Sequence, residues 1–308
     1  MAIEDFQVTE SPWGPDDELG AFNLMTPESQ AQIVSRADGS RIFDLSCDYF
    51  IGMPTWSALG DPSYQLYITH DPQGDVVRNP IGLDDDANRL TSYTGDAVSM
   101  YTHSGTHIDA LNHFGAHGTI YNNFDAEHHR GSRHWDKCGV DVIPPIIARG
   151  VLLDIAGYKD TDQLPPSYGI GPDDLQGAAE RQGTEIRKGD VVLIRTGRYQ
   201  EWPDTEAFLT DEPGLNLAGA KWLVEEKEVM LLGSDNVAFE QLPSESEETW
   251  IPVHMYLFNN TGRTIIEVVN CEELARERVY EFAFFGLHLK LRGASASPIR
   301  CIAMPLRS

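Results

Sequence analysis

Seven of the ten histidines of this 308-residue chain lie between positions 103 and 134. The tightest part reads His103-Ser-Gly-Thr-His107-Ile-Asp109-Ala-Leu-Asn-His113. Neutral imidazoles and carboxylates are the usual ligands of zinc, manganese and iron. The spacing restricts the backbone that can bring them together. On a helix, His103 and His107 share a face, but Asp109 points about 160° away from their mean direction. On a straight strand all three share a face, yet His103 and His107 stand roughly 13 Å apart. Ligands at about 2 Å from one ion cannot be spaced so widely. A bend at Ser104-Gly105-Thr106 removes the difficulty, because Gly105 tolerates backbone angles other residues avoid. The segment therefore predicts a turn followed by a short strand carrying His107 and Asp109 on one face. A solvated histidine-rich loop is the competing reading of the spacing. His117, His128, His129 and His134 read as loop and surface residues.

Charge narrows the partners. With 48 acidic against 23 basic side chains, the formal net charge is −25. A chain so acidic repels phosphate backbones and anionic membranes, so neither nucleic acid nor membrane is an expected partner. It tolerates divalent cations. The four cysteines, Cys47, Cys138, Cys271 and Cys301, show no CxxC spacing. They are expected to be reduced, buried thiols rather than disulfides or zinc ligands. The first ten residues carry neither a basic nor an apolar leader pattern, and no run approaches a membrane span. The expected location is cytoplasmic.

The coarse pattern is mixed α/β in a single domain, 1–308, with an extra N-terminal arm over residues 1–40. Thr26 and Pro27 open a short helix by N-cap and first-turn chemistry. Residues 41–47 read as a strand, and 60–96 as hairpins or long loops. Buried strands are expected at 142–155, 190–195, 229–232 and 264–269, and a further strand over 282–290. Helices are expected at 172–182, 217–226 and 271–276. The arm's Phe6, Trp13 and Phe22 have little core of their own nearby, which predicts that the arm crosses to a neighbour in a homodimer or homotetramer.

The histidine segment resembles the HxGTHxDxxxH signature of the metal-dependent cyclase-like hydrolases, a group that includes bacterial kynurenine formamidase and isatin hydrolase. Asp44-Leu45-Ser46 and Gly52-Met53-Pro54-Thr55-Trp56 resemble the family's early strand and loop, Leu193-Ile194-Arg195-Thr196-Gly197 its central strand, and Gly233-Ser234-Asp235 a later part. Pro213-Gly214-Leu215, His254, Ile265-Ile266-Glu267 and the run 287–303 also resemble later parts. The resemblance implies a swivelling β/β/α fold with a mixed sheet. It implies that His103, His107 and Asp109 bind one ion, with Asp109 bridging to a second held by His254 and Glu267. Zinc or manganese, one ion or two, is implied, with His113 as the catalytic histidine.

Two imidazoles and a carboxylate leave a coordination position open, the pattern of a catalytic site. The expected reaction is hydrolysis of a carbonyl–heteroatom bond in a small molecule: a cyclic amide, formamide or lactone. His113 would move the proton. A metal-dependent cyclase or dehydratase, or a metal-stabilised binding protein, are the alternatives. Trp56, Phe50 and Tyr101 are candidates for an apolar substrate wall, Trp56 foremost. Arg195 and Asp235 end apolar strands and read equally as site residues or as structural ion pairs.

Overall fold

A computed structural model of the chain describes residues 6–57, 59–90 and 93–307. Eight strands form the main sheet: β1 (Phe43–Asp44), β2 (His107–Asp109), β3 (Ile146–Asp154), β4 (Val191–Arg195), β5 (Leu231–Ser234), β6 (Ile265–Glu267), β7 (Glu281–His288) and β8 (Ala296–Pro305). Their order is β1-β8-β7-β3-β4-β5-β6-β2. The run β3 to β6 is parallel. The pairings β6–β2, β2–β8, β8–β7 and β7–β3 are antiparallel. Because β2 pairs with both β6 and β8, seven of the strands close into a barrel. The mixed α/β architecture expected from the sequence is the one observed.

The parallel strands are apolar on both faces, as strands covered on both sides are. Val151, Leu153, Val192 and Ile194 pack with Leu175, Ala178 and Ala179 of helix α1 (Pro172–Gln182). The alternate residues Leu152, Val191 and Leu193 pack with Ile108, Phe282 and Phe284 in a second cluster. Helix α1 takes Pro172 in its first turn and ends at Gly183 in the left-handed region, matching the sequence reading.

Several boundaries differ from those read in the sequence. The strand expected at 41–47 is only two residues long: Leu45 still donates its N–H to the Cys301 carbonyl, but the Cys301 N–H turns to Ser46 Oγ and the Cys47 N–H to Thr106 Oγ1. The helix at 217–226 is α-helical to Lys221 and π-helical over Trp222–Glu226. The hairpin expected within 60–96 is present, Gln65–His70 with Gly95–Ser99, and the short helices Pro72–Arg78 and Asp85–Leu90 lie between its strands.

The N-terminal arm corrects an expectation. Its first five residues lie outside the described ones, but Phe6 and Phe22 are buried in their own chain. Asp17 is the fastening point: its carboxylate accepts from Ser11, Asn23 and Tyr121. Backbone bonds from Thr9 to Asn259 and from Ala21 to Gly262 complete the docking. Phe6 and Phe22 thus pack within their own chain, whereas Trp13, the arm's third aromatic, is exposed. Helix Pro27–Arg36 follows, closed by a capping box between Thr26 and Ser29.

Candidate metal centre

The bend expected before His107 is present. Gly105 has φ of +60°, and a Cβ there would stand 2.7 Å from Cζ of Tyr49. The Tyr49 hydroxyl donates to the carbonyls of Ser104 and Thr106 on either side of it. Thr106 donates its hydroxyl to the Val268 carbonyl and accepts from the Cys47 N–H, which ties the turn to β6's exit. After the turn, β2 places His107 and Asp109 on one face, and both are buried. The chain then turns at Ala110, whose carbonyl accepts from the His113 N–H at 2.9 Å, and brings His113 back to the cluster.

Two triads converge. His103, His107 and Asp109 form one, and Asp109, His254 and Glu267 the other; within each, one ligand atom per residue lies within 4.8 Å of the others. Asp109 is common to both. His103 Nδ1 is 2.7 Å from Asp109 Oδ1, and His107 Nε2 is 3.0 Å from Glu267 Oε2. His254 Nε2 stands 3.4 Å from Glu267 Oε1. His254 comes from helix α2 (Pro252–Met255), and Glu267 from the last position of β6.

Each imidazole is oriented by its outer nitrogen. His107 Nδ1 bonds to its own turn at the Gly105 carbonyl, 2.8 Å away. His103 Nε2 bonds to Ser295 Oγ at 2.9 Å, and His254 Nδ1 to Glu240 Oε1 at 2.7 Å. The inner nitrogens are thereby left to face the centre, as outer hydrogen bonds do for metal-ligating histidines. The sequence reading missed Glu240 and Ser295.

The cluster is short of positive charge. Burial opposes protonation of His107, yet the Asp109 and Glu267 carboxylates raise its imidazole to about 10. His254 is likewise raised to about 10 against burial, by Glu240 and Glu267. Burial works against the charged form of Asp109, but His103 and His113 hold it well below the usual carboxylate range. Both Asp109 oxygens and His107 Nε2 are buried without a hydrogen-bond partner. Unpartnered lone pairs converging from carboxylate and imidazole are what a divalent cation satisfies, so the donor set fits a divalent metal ion.

His113 lies beside the ligands rather than among them. Its ring stacks on His103 at 3.8 Å between centroids, and Nε2 is 3.6 Å from Asp109 Oδ2. Burial, reinforced by His103, keeps its imidazole well below its ordinary value. The centre opens into a cleft walled by Trp56, Tyr101, Phe114, Trp250 and Ile251. Phe50 is elsewhere: it packs edge-on against Trp202. Arg195 binds Glu272 and Asp154, and Asp235 accepts from Thr196 and Gly197. Both serve the scaffold and not the cluster. His117, His128 and His134 are exposed, and His129 pairs with Asp136, as expected of loop residues.

Comparison with known proteins agrees with this geometry. The family model described as putative cyclase matches residues 43–241, a span that includes the whole histidine signature. Cyclase-like protein 3 of Oryza sativa subsp. japonica is 28% identical over 274 residues, covering 86% of this chain and 80% of its own. A crystal structure described as a novel cyclase superposes with a TM-score of 0.84 at 26% identity, covering 97% of this chain and 99% of that one. Isatin hydrolase A from Ralstonia solanacearum shares the fold, with a TM-score of 0.65 at 22% identity over 86% of this chain and 92% of its own. Sequence match, fold and the buried His/Asp cluster coincide, and the chain belongs to the cyclase family.

Proposed function

We propose that the protein is a metal-dependent hydrolase of a carbonyl–heteroatom bond in a small molecule: a cyclic amide, a formamide or a lactone. The observation that carries this reading is the pair of buried ligand triads sharing Asp109 at the floor of an apolar cleft. His103, His107 and Asp109 would hold one ion, and Asp109, His254 and Glu267 a second. When bound, such an ion supplies Lewis-acid activation of water and of a carbonyl oxygen. The remaining work falls to the chain. Trp56, Phe114 and Ile251 exclude bulk water and orient an apolar substrate. His113, adjoining both Asp109 and the cleft, takes the proton of the attacking water and returns it to the leaving nitrogen or oxygen.

The cleft's volume is about 150 Å³, the size of an engineered cavity that binds benzene, so it suits a ring-sized substrate. The fold shared with an isatin hydrolase supports the same reaction class. Among the described residues no helix is long and apolar enough to cross a membrane, and all four cysteines are free and buried. Free thiols support a reducing, cytoplasmic setting. We also place the protein in a homodimer or homotetramer. Ile68, Val77, Ile81 and Leu90 of the hairpin segment are 70–85% exposed, and such patches commonly mark contacts between proteins.

Metal analysis of the purified protein, combined with a panel of isatin, N-formylkynurenine, cyclic imides and lactones, tests the reading. Zinc or manganese with turnover of one carbonyl class is expected. Ring closure or dehydration without hydrolysis would replace the hydrolase with a cyclase or dehydratase. A metal-loaded protein that binds these compounds and turns over none would leave a binding protein.

A further inference from the structure

The outer part of the cleft has a composition the hydrolase reading does not require. Trp56 and Trp250 lie parallel, 6.2 Å apart between ring centroids and 8° between planes. Tyr101 and Asp61 belong to the same wall, and among the described residues no lysine or arginine lines the cleft. The Tyr101 N–H donates to the Pro62 carbonyl at 3.0 Å, which holds the Asp61-Pro62 segment against the tyrosine. A bridge between Thr55 and Ser104 fixes the neighbouring Trp56 to the turn that carries His103. The Tyr101 hydroxyl is pushed above its ordinary value by burial first and then by the nearby Asp61 charge.

Among the described residues no lysine or arginine shares the cleft wall with Asp61. The only other charged groups on the cleft wall belong to the ligand cluster. Three aromatic rings and a carboxylate with no basic neighbour on the wall of one cleft are the chemistry that favours a cation. The negative faces of indole and phenol rings attract ammonium groups, most strongly where water is partly excluded. The formal charge of −25 on the whole chain adds a field of the same sign.

We propose that Asp61, with Trp56, Trp250 and Tyr101, makes the cleft selective for a carbonyl compound that carries an ammonium or other cationic group away from the bond to be cleaved. The proposal rests on the hydrolase reading for the words "bond to be cleaved", and on the cleft alone for the cation. The cationic group sits at the half-exposed end of the cleft, near Trp250 and Asp61, while the carbonyl end reaches His113 and the ligand cluster. Anionic analogues of the same size are turned away at that end. Asp61 is in this sense a specificity-determining residue.

Binding rather than turnover tests it. The metal-loaded protein is titrated by calorimetry, at fixed salt, with benzyl alcohol, benzyltrimethylammonium and benzylsulfonate. These share a ring and differ in charge. The cation is expected to bind roughly tenfold more tightly than the alcohol, within the range of cation–π and ion-pair contributions, and the sulfonate most weakly. Asp61→Asn should shrink the preference for the cation over the alcohol severalfold. Trp250→Leu, at a side chain 54% exposed and therefore tolerant of change, should also shrink it. Binding of all three within twofold, tighter binding of the sulfonate, no saturable binding of the cation, or an unchanged preference in both variants would each overturn the proposal. Turnover plays no part in the titration. A failed substrate panel with an intact cation preference would therefore sink the hydrolase and leave the cation site.

Discussion

The Glu240 carboxylate holds His254 twice and its neighbour Val253 once: Oε1 accepts from Nδ1 at 2.7 Å and from the His254 N–H at 2.9 Å, while Oε2 accepts from the Val253 N–H at 3.0 Å. One buried side chain thus caps the start of helix α2 and fixes the imidazole's tautomer. Glu240→Gln keeps the size and a single acceptor but loses the charge. Metal affinity at the second triad should fall about 10–100-fold, the usual cost of losing an outer partner, with little change in the fold. Chelator competition, read beside the circular dichroism spectrum, checks this.

The ligands themselves should behave differently. His107→Ala or Asp109→Ala should strip the metal, and with it all turnover. Both residues are buried in β2, so elemental analysis must be made on protein shown to be folded. Unchanged metal content in both variants would sink the assignment.

His113→Ala separates proton transfer from ligation. Its Nε2 stands 3.6 Å from Asp109 Oδ2, outside both triads. The variant should keep its metal and lose roughly 10²–10⁴-fold in turnover, the range for a general acid–base group. Loss of metal would instead make His113 a ligand.

Glu212 predicts a pH dependence of stability. It is buried and accepts from the Val237 and Ala238 N–H groups, which border the cleft. Burial dominates those two bonds and raises its carboxyl from 4.5 to about 7. The folded chain therefore keeps a proton there that the unfolded chain has lost. This site's contribution must fall as pH rises from about 4.5 to about 7. Glu212→Gln should flatten that part of the profile; chemical denaturation across the window measures it.

Assembly is the remaining expectation. Sedimentation at micromolar concentration should show a dimer or tetramer, and Val77→Glu, at a side chain 80% exposed, should shift it towards monomer. A single monomeric species for the parent protein would refute it.

What was legible in the sequence was local. The turn at Gly105 and the shared face of His107 and Asp109 followed from spacing, because three ligands within seven residues leave few backbone paths. His254 and Glu267 rested on resemblance, since one histidine and one glutamate far downstream carry no spacing signal. Glu240 and Ser295 were missed because their role is conferred only by the fold: Ser295 is 192 positions from His103. Strand β8 was not read as a strand. Its run Ala296-Ser-Pro-Ile-Arg breaks the apolar alternation, and Pro298 sits opposite His107 where β2 joins. The packing of Phe6 and Phe22 was not legible because the residues near them come from distant parts of the chain: Phe22 joins the cluster that holds Ile146 and Phe282, and Phe6 lies beside Leu215 and Val253.

Strand β2 is three residues long, yet it is the stave that joins β6 to β8 and shuts the barrel. Two of those three residues, His107 and Asp109, belong to the ligand cluster. Chemistry and closure therefore occupy the same few atoms. A cation held by those side chains would also fasten the hoop, and its binding energy would be shared by the scaffold. Such a protein has little freedom to drift at this strand: a substitution that spoils the reaction also loosens the wall around it.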